Sequence, residues 1–238
     1  MILITGGNGK LGKALRDIFP DALTPGRDTL NVLDKNSVDN FFKDKKFDLV
    51  IHAAAYTSVT KAETEKELCW NTNVRGTEYL VDALKRTNPQ THFTYISTAC
   101  VFYGDRGMYT EDDIPHPKNF YAITKLVGEY IVRRLEQRLI VRTNFVAREP
   151  WPYPRAFTDR FGTYLYADQV AKKINELTSE NKQGLIHIAG DTKMSMFDLA
   201  KRTSPEIAPM TMQDTKDPLT IDMTLKSNRI HAVPFLSP

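Results

Sequence analysis

The chain has few cysteines, no long apolar run and almost no excess of charge. Only two of its 238 residues are cysteine, Cys69 and Cys100, which is too few for a disulfide framework and typical of a reducing, cytoplasmic setting. The longest apolar stretch, around residues 49–55, is too short to span a bilayer, so no membrane partner is expected. Residues 1–5 already resemble a buried strand, so we expect no signal peptide.

The charges nearly cancel, because 32 basic and 29 acidic residues are interspersed along the chain. Nucleic-acid-binding proteins usually cluster Lys and Arg on one face, so no nucleic-acid partner is expected, whereas a small anionic substrate fits the balance. No compact group of His, Cys, Asp or Glu has metal-ligand spacing, so no metal is expected. The sequence is compatible with a homodimer and does not decide it.

Short β-like runs alternate with helical patterns, which predicts an α/β fold of the Rossmann type, a doubly wound parallel sheet. The dinucleotide-binding domain is expected at 1–145, with its sheet completed by about 162–190. A small substrate lobe is expected at 146–161 and 191–238. The predicted strands are 1–5, 21–24, 47–53, 91–97, 139–143 and 185–189. The predicted helices are 11–19, one capped by Asn36 or Ser37, about 64–86, 120–135 and 167–177.

A glycine-rich loop, Thr5-Gly6-Gly7-Asn8-Gly9-Lys10-Leu11-Gly12, follows the first predicted strand and opens the first helix. Its glycines let the backbone approach a pyrophosphate, whose charge then lies at the helix amino terminus. An ordinary turn is the alternative, but the position at the start of an alternating chain favours a dinucleotide. The cofactor-binding residues predicted here are Gly6, Asn8, Gly9, Lys10, Leu11 and Gly12.

The end of the second predicted strand lacks the acidic residue that usually binds the adenosine ribose of NAD. The sequence there is Leu23-Thr24-Pro25-Gly26-Arg27. Because Arg27 is suited to a 2′-phosphate, NADP(H) is favoured as the cofactor and NAD(H) is the alternative. Arg27 as a solvated loop residue is the competing interpretation.

Tyr121 is the only tyrosine with a lysine four positions later, Lys125, and this spacing puts both side chains on one helix face. The pKa of a phenol is about 10, and a neighbouring ammonium and a positively charged nicotinamide are both expected to lower it, so that Tyr121 becomes a usable acid or base. Ser97 and Thr98 end a predicted strand at the sheet edge where α/β proteins bind ligands. Together with the glycine loop, these residues predict an oxidoreductase.

These residues resemble the extended short-chain dehydrogenase/reductase family, whose pattern is T-G-x-x-G-x-x-G, a Ser or Thr, and Y-x-x-x-K. Within it the chain most resembles the dTDP-4-dehydrorhamnose reductases. The matching stretches are 52–59, 61–63, 73–77, 97–102, 121–126, 142–143 and 185–190. The resemblance implies NAD(P)H-dependent reduction of a nucleotide-linked 4-keto-6-deoxy sugar in dTDP-rhamnose biosynthesis.

By that resemblance, Thr98, Tyr121 and Lys125 form the catalytic triad, and Tyr121 protonates the keto oxygen. Further cofactor contacts implied are Asp34 at the adenine, Ala53, Ala54, Thr57 and Ser97, with Asn73 positioning the lysine through water. The residues implied or inferred at the substrate are Val59, Thr98, Cys100, Phe145, Arg155 and Arg160.

The substrate half departs from the family pattern. Phe145 stands where the rhamnose reductases carry tryptophan, and the following segment is shorter than usual and rich in proline and aromatic residues. Alternate prolines exclude a regular helix, so a loop or lid is expected. Arg155 and Arg160 in it are candidates for pairing with a diphosphate, and exposed charges without that role are the alternative.

Other functions remain in competition. Ala99 and Cys100 stand where 4,6-dehydratases carry Asp-Glu, which argues against a dehydratase. Cys100 lies two residues after Thr98, as in bifunctional epimerase/reductases resembling GDP-fucose synthase, and a thiol there could exchange a proton beside the keto group. A buried structural cysteine is the alternative. A non-catalytic NADP-binding regulatory subunit is the third possibility, and the complete triad argues against it.

Overall fold

The computed structural model describes residues 1–236 of the chain. Its strands are β1 (Ile2–Thr5), β2 (Leu49–His52), β3 (His92–Ile96), β4 (Arg138–Thr143), β5 (Phe145–Val146), β6 (Arg155–Phe157), β7 (Phe161–Gly162), β8 (Leu165–Tyr166), β9 (Gly184–Ile188), β10 (Met194–Ser195), β11 (Ala208–Met210) and β12 (Asp222–Met223). Its helices are α1 (Lys10–Ile18), α2 (Lys35–Phe42), α3 (Val59–Ala62), α4 (Lys66–Trp70), α5 (Gly76–Thr87), α6 (Phe120–Val132), α7 (Ala167–Ser179) and α8 (Met196–Lys201). No helix in this range has the length and apolar character needed to cross a membrane.

Within residues 1–236, β1, β2, β3, β4 and β9 form a five-stranded sheet in that spatial order, and all neighbouring strands are parallel. The strands are apolar because helices cover both faces. On one face α1 and α7 pack over a core that includes Leu15, Ile51 and Ile174. On the other face α2 and α5 pack over Leu80 and Phe93. The predicted Rossmann-type α/β fold is confirmed.

The predicted second strand, 21–24, is wrong. Only Leu23 pairs with β1, through an isolated bridge in which its N–H donates to the Ile2 carbonyl and its carbonyl accepts from the Ile4 N–H. The ladder ends there because Pro25 has no N–H to donate.

Two helices also differ from the prediction. Helix α2 is capped by the Asp34 carboxylate, which accepts from the Asn36 N–H, and not by Asn36 or Ser37. The predicted helix at 64–86 is α4 and α5 joined by a π-helical turn at Asn71–Arg75. Apolar periodicity does not reveal the extra residue of a π turn, although such turns often occur at functional sites.

The part of the chain after β9 consists of short elements that Glu111 connects to the sheet. Its carboxylate accepts from the His187 N–H in β9 at 2.8 Å, the Asn228 N–H at 2.9 Å and the Ser227 hydroxyl at 2.5 Å. Burial acts to raise the pKa of Glu111, but these hydrogen bonds outweigh burial, and the pKa lies below its usual value. The ionised carboxylate therefore holds the C-terminal segment more strongly than the protonated form does.

Glu111→Gln should lower the free energy of unfolding by about 1–3 kcal/mol, because a buried charged acceptor is lost. The folded-state pKa of Glu111 is depressed, so its contribution is present above the unfolded-state pKa of about 4.3 and disappears as the pH falls through the folded-state value. Thermal unfolding between about pH 7 and about pH 3 should depend less on pH in the variant than in wild type. Asp112→Asn, an exposed neighbour, is the control, and parallel curves for Glu111→Gln and wild type would contradict the prediction.

Candidate active site

The glycine-rich loop after β1 approaches the neighbouring backbone too closely for a side chain. Gly6 has φ +73°, and a Cβ there would lie 2.6 Å from the Ala54 nitrogen. A Cβ on Gly12 would lie 2.1 Å from the Gly6 carbonyl oxygen. Helix α1 then begins after Gly9 without a side-chain cap. Its first N–H groups therefore lack a side-chain acceptor, the condition in which a helix start binds anionic groups.

A cavity of about 640 Å³ extends from this loop to α6. Its walls include the sequence-predicted residues Gly6, Asn8, Gly9, Lys10, Leu11, Gly12, Arg27, Ala53, Ala54, Thr57, Ser97, Thr98, Tyr121, Lys125 and Phe145. Asp34 and Asn73 are outside this lining. The described lining residues include the cationic Lys10, Arg27 and Lys125 and no carboxylate. The size, the glycine backbone and the positive charge fit a phosphate-containing dinucleotide.

Asn73 is buried in the π turn. Its side-chain N–H groups donate to the Thr124 hydroxyl at 2.9 Å and the Tyr56 carbonyl at 3.1 Å, and its Oδ1 accepts from the Tyr56 N–H at 2.8 Å. Thr124 in turn donates to the Tyr121 carbonyl at 2.7 Å. The Asn73 amide thus contacts the Thr124 hydroxyl on α6 and the backbone of Tyr56, and its implied link to Lys125 through water stays a prediction.

A buried chain of hydrogen bonds, not predicted from the sequence, connects the glycine loop with the π turn. His52 Nδ1 lies 2.7 Å from Thr5 Oγ1, and Nε2 lies 3.1 Å from Thr77 Oγ1. The Thr77 hydroxyl donates to the Asn73 carbonyl at 2.7 Å, so it accepts from His52. Burial, with the nearby charge of Lys125, lowers the pKa of His52 to about 3. The ring is therefore neutral, with its proton on Nε2.

The side chains of Tyr121 and Lys125 are both buried. Burial raises the pKa of Tyr121, although a hydrogen bond with Thr98 acts in the opposite direction. Burial lowers the pKa of Lys125 to about 7, against the charge of Glu129, and the ammonium lies 4.0 Å from the ring centre of Tyr95. Desolvation thus dominates both groups in the protein alone, and a lowering of the tyrosine pKa by the ammonium together with a charged nicotinamide stays a prediction.

A second cavity, of about 370 Å³, adjoins the first. The two share the lining residues Lys10, Thr57, Thr98, Tyr121, Asn144, Phe145 and Tyr153. Val59, Cys100 and Arg160, all predicted from the sequence at the substrate, line the second cavity alone. The two cavities therefore meet at a boundary that includes Thr98 and Tyr121, so ligands in the two cavities would both lie next to these side chains.

Arg160 is a buried cation in the wall of the second cavity. Its Nε donates to the Thr220 carbonyl at 2.8 Å, and its terminal nitrogens lie 3.8 Å from Met196 Sδ and 3.3 Å from Met223 Sδ. Thioethers are weak acceptors. The buried hydroxyl of Tyr164 in the same wall has no partner among the described residues. This wall therefore offers donors to a ligand with anionic oxygens.

Comparison with known proteins decides the family. Residues 1–153 match the RmlD substrate binding domain. The chain belongs to the RmlD family. It is 30% identical over 229 residues to the dTDP-4-dehydrorhamnose reductase of Aggregatibacter actinomycetemcomitans, covering 84% of this chain and 76% of that protein. It is 34% identical over 141 residues to the methionine adenosyltransferase 2 subunit beta of Xenopus laevis, covering 55% of this chain and 42% of that protein.

Solved structures of reductases share the whole fold. The dTDP-4-dehydrorhamnose reductase of Bacillus anthracis in complex with NADP has a TM-score of 0.89 and 25% identity, covering 99% of this chain and 94% of that one. The hypothetical dTDP-4-dehydrorhamnose reductase of Sulfolobus tokodaii has a TM-score of 0.84 and 28% identity, covering 96% and 92%. The resemblance inferred from the motifs is thereby confirmed.

In this RmlD-family chain, Arg155 lines neither cavity. It is exposed on β6, where it forms an ion pair with Asp214 at 3.3 Å and donates to the Pro209 carbonyl at 3.1 Å. Parallel pairing of β6 with β11 holds Arg155 on this outer surface. Of the two arginines predicted to bind a diphosphate, only Arg160 is placed where it could do so.

The two other candidate groups near Thr98 have partners of their own. The Ser97 hydroxyl donates to the Glu129 carboxylate at 2.5 Å, although Ser97 lines the first cavity. The Cys100 thiol lies 3.5 Å from Met223 Sδ. Among the described residues, no histidine lines either cavity to act as a base for this thiol. Thr98 also has partners, since its Oγ1 accepts from the Cys100 N–H at 3.1 Å, but of these three residues it alone lines both cavities.

Gly6→Ala should weaken binding of NADPH by about tenfold or more, since a non-glycine residue at positive φ costs about 1–3 kcal/mol and displaces the loop. Gly26→Ala is the matched control: Gly26 lines the same cavity, and an added Cβ there meets nothing within 4 Å. Titration followed by NADPH fluorescence measures the cofactor affinity of both variants. Equal affinities in the two variants would mean that the loop does not contact the cofactor.

Proposed function

We propose that the chain is an NAD(P)H-dependent reductase of a nucleotide-linked 4-keto-6-deoxy sugar in dTDP-rhamnose biosynthesis. The observation that carries this proposal is the junction of the two cavities at Thr98 and Tyr121. Relatives named dTDP-4-dehydrorhamnose reductase support the sugar. The cationic, carboxylate-free lining of the first cavity, with Arg27, and the NADP in a similar reductase favour NADP(H) over NAD(H).

In this function the bound cofactor supplies the hydride that adds to the keto carbon. Burial keeps Tyr121 protonated near neutral pH, which is the form that donates its proton to the keto oxygen. The O–H bond of Tyr121 breaks as its proton forms the new hydroxyl of the product. The Thr98 hydroxyl orients the keto oxygen during this transfer. The Lys125 ammonium stabilises the phenolate that remains, and Tyr121 regains its proton from solvent.

The division into two parts also belongs to the proposal. Residues 1–145 and about 162–190 would bind the cofactor, and 146–161 with 191–238 would form the substrate lobe, of which 237–238 lie outside the described residues. Support comes from the second cavity, whose lining includes Trp151, Arg160, Met196 and Met223 from the lobe and its border. The cytoplasmic location and the homodimer stay predictions.

The direct test is oxidation of NADPH, and separately of NADH, by purified protein with dTDP-4-dehydrorhamnose and other 4-keto nucleotide-sugars. Tyr121→Phe should lower kcat by about 10²- to 10⁴-fold, because the proton donor is lost. Tyr130→Phe, an exposed tyrosine on the same helix, is the control and should match wild type. Inactivity of the wild type with every sugar, despite tight NADPH binding, would favour a regulatory subunit.

Cys100 keeps the epimerase/reductase as a second candidate, because its thiol lines the substrate cavity. Its contact with Met223 and the lack of a described histidine in the lining argue against it. Incubation with substrate in deuterium oxide decides the matter. Deuterium at carbon 3 or 5 of the sugar, lost in Cys100→Ser, would support epimerisation, and its absence in wild type would exclude it.

Arg160→Gln should raise KM for the nucleotide-sugar by about tenfold to a hundredfold, since a charged hydrogen bond contributes about 1.5–3 kcal/mol, and should change NADPH affinity little. Arg155→Gln is the matched control, because the same change there removes an exposed guanidinium outside both cavities. Steady-state kinetics give KM for each. A KM that is unchanged in Arg160→Gln, or raised equally in both variants, would show that Arg160 does not bind the substrate.

A further inference from the structure

A buried ion pair lies behind the catalytic residues. Glu129 follows Lys125 by one turn on α6, and its Oε1 accepts from Arg142 Nε at 2.9 Å and from the Ser97 hydroxyl at 2.5 Å. Its Oε2 accepts from Arg142 Nη2 at 2.7 Å. The side chains of Glu129 and Arg142 are 0% and 1% exposed. The pair is thus removed from water, and both charges act on their surroundings with little screening.

The pair joins three elements of the site. Glu129 belongs to α6, which carries Tyr121 and Lys125, while Arg142 belongs to β4. Ser97 follows β3 and directly precedes Thr98. One carboxylate is therefore hydrogen-bonded to the ends of two strands and lies on the helix that carries the proton donor.

We propose that Glu129 and Arg142 are positioning residues for the reduction, which set the charge of Lys125 through two opposed buried charges. The inference rests on the proposed function, since it concerns the same proton-transfer pair. Neither residue lines either cavity, so neither is expected to touch substrate or cofactor.

Apart from Glu129, the titratable groups around Lys125 carry no negative charge that would act against the effect of burial. Burial is the main cause that lowers the pKa of Lys125 to about 7, and the Glu129 carboxylate is the first group that acts against it. Tyr121 lies one turn before Lys125 on the same helix, and the other titratable groups that act on Lys125 or are acted on by it are Cys69 from α4, Tyr95 from β3 and His52 from β2. Burial raises the pKa of the first three and lowers that of His52, so all four are neutral near pH 7. Arg142 is the counter-charge that limits the effect of Glu129.

The test is the pH dependence of kcat/KM in Glu129→Gln and Arg142→Gln. Activity requires the ammonium form of Lys125, so kcat/KM falls as the pH rises through the pKa of Lys125. Glu129→Gln removes the negative charge and should move this fall to lower pH by about 1 unit, whereas Arg142→Gln leaves the carboxylate uncompensated and should move the fall to higher pH. Opposite shifts are the signature of a charge effect. A purely structural role lowers activity in both variants without separating their pH profiles.

Three further variants keep the test decisive. Arg142→Lys retains the charge and should keep the wild-type pH profile. The double variant Glu129→Gln/Arg142→Gln removes both charges, a change that buried pairs tolerate better than loss of one partner. The pH at which its kcat/KM falls should lie between the values for Glu129→Gln and wild type. Arg134→Gln removes an exposed charge just beyond α6 and should move nothing.

NADPH affinity measured against pH without sugar gives a second readout, and it separates failure of this inference from failure of the proposed function. Lys125 lines the cofactor cavity, so the affinity for NADPH should fall as Lys125 loses its charge. This fall should occur over the same shifted pH ranges in Glu129→Gln and Arg142→Gln even if no sugar is reduced. Shifts in the same direction, or none in any folded variant, would overturn the role of the pair while leaving the reductase proposal standing. Absence of turnover with these affinity shifts intact would overturn the reductase proposal alone.

Discussion

The ion pair between Glu129 and Arg142 constrains the rest of the site because neither charge can return to water. Removing two such groups from solvent costs several kcal/mol each, and the cost is offset only where the hydrogen bonds keep good geometry. The carboxylate has three of them, two from Arg142 and one from Ser97. Helix α6 therefore has a defined position against the ends of β3 and β4, and Tyr121 takes its place beside Thr98 as a consequence.

The parallel sheet supplies the other half of the constraint. Its strands end at one edge, so the glycine loop after β1, Ala53 after β2, Thr98 after β3 and Asn144 after β4 converge there. The neutral ring of His52 joins the first of these ends to the π turn, whose Asn73 contacts α6 through Thr124. The junction of the two cavities thus results from sheet topology together with a few buried polar contacts.

The features predicted from the sequence are those that depend on neighbours a few residues away. Strand and helix alternation, the glycine loop and the spacing of Tyr121 and Lys125 are all local, and the structure contains them. Other features depend on distant partners that no local pattern contains: the Ser97 hydroxyl donates to Glu129, 32 residues later, and Arg155 pairs with Asp214, 59 residues later. The direction in which the protein itself shifts the pKa of Tyr121 is also not local, because burial is a property of the whole fold.

The wall that would recognise the substrate differs physically from the site of the chemistry. Around Tyr121 and Thr98, strand ends and a buried charge pair fix the positions, whereas the terminal nitrogens of Arg160 lie next to the thioether sulfurs of Met196 and Met223 on short elements. Methionine is flexible and polarizable, so these contacts adjust to a ligand at little cost. Changes in this wall can therefore alter which nucleotide-sugar binds without moving the proton donor.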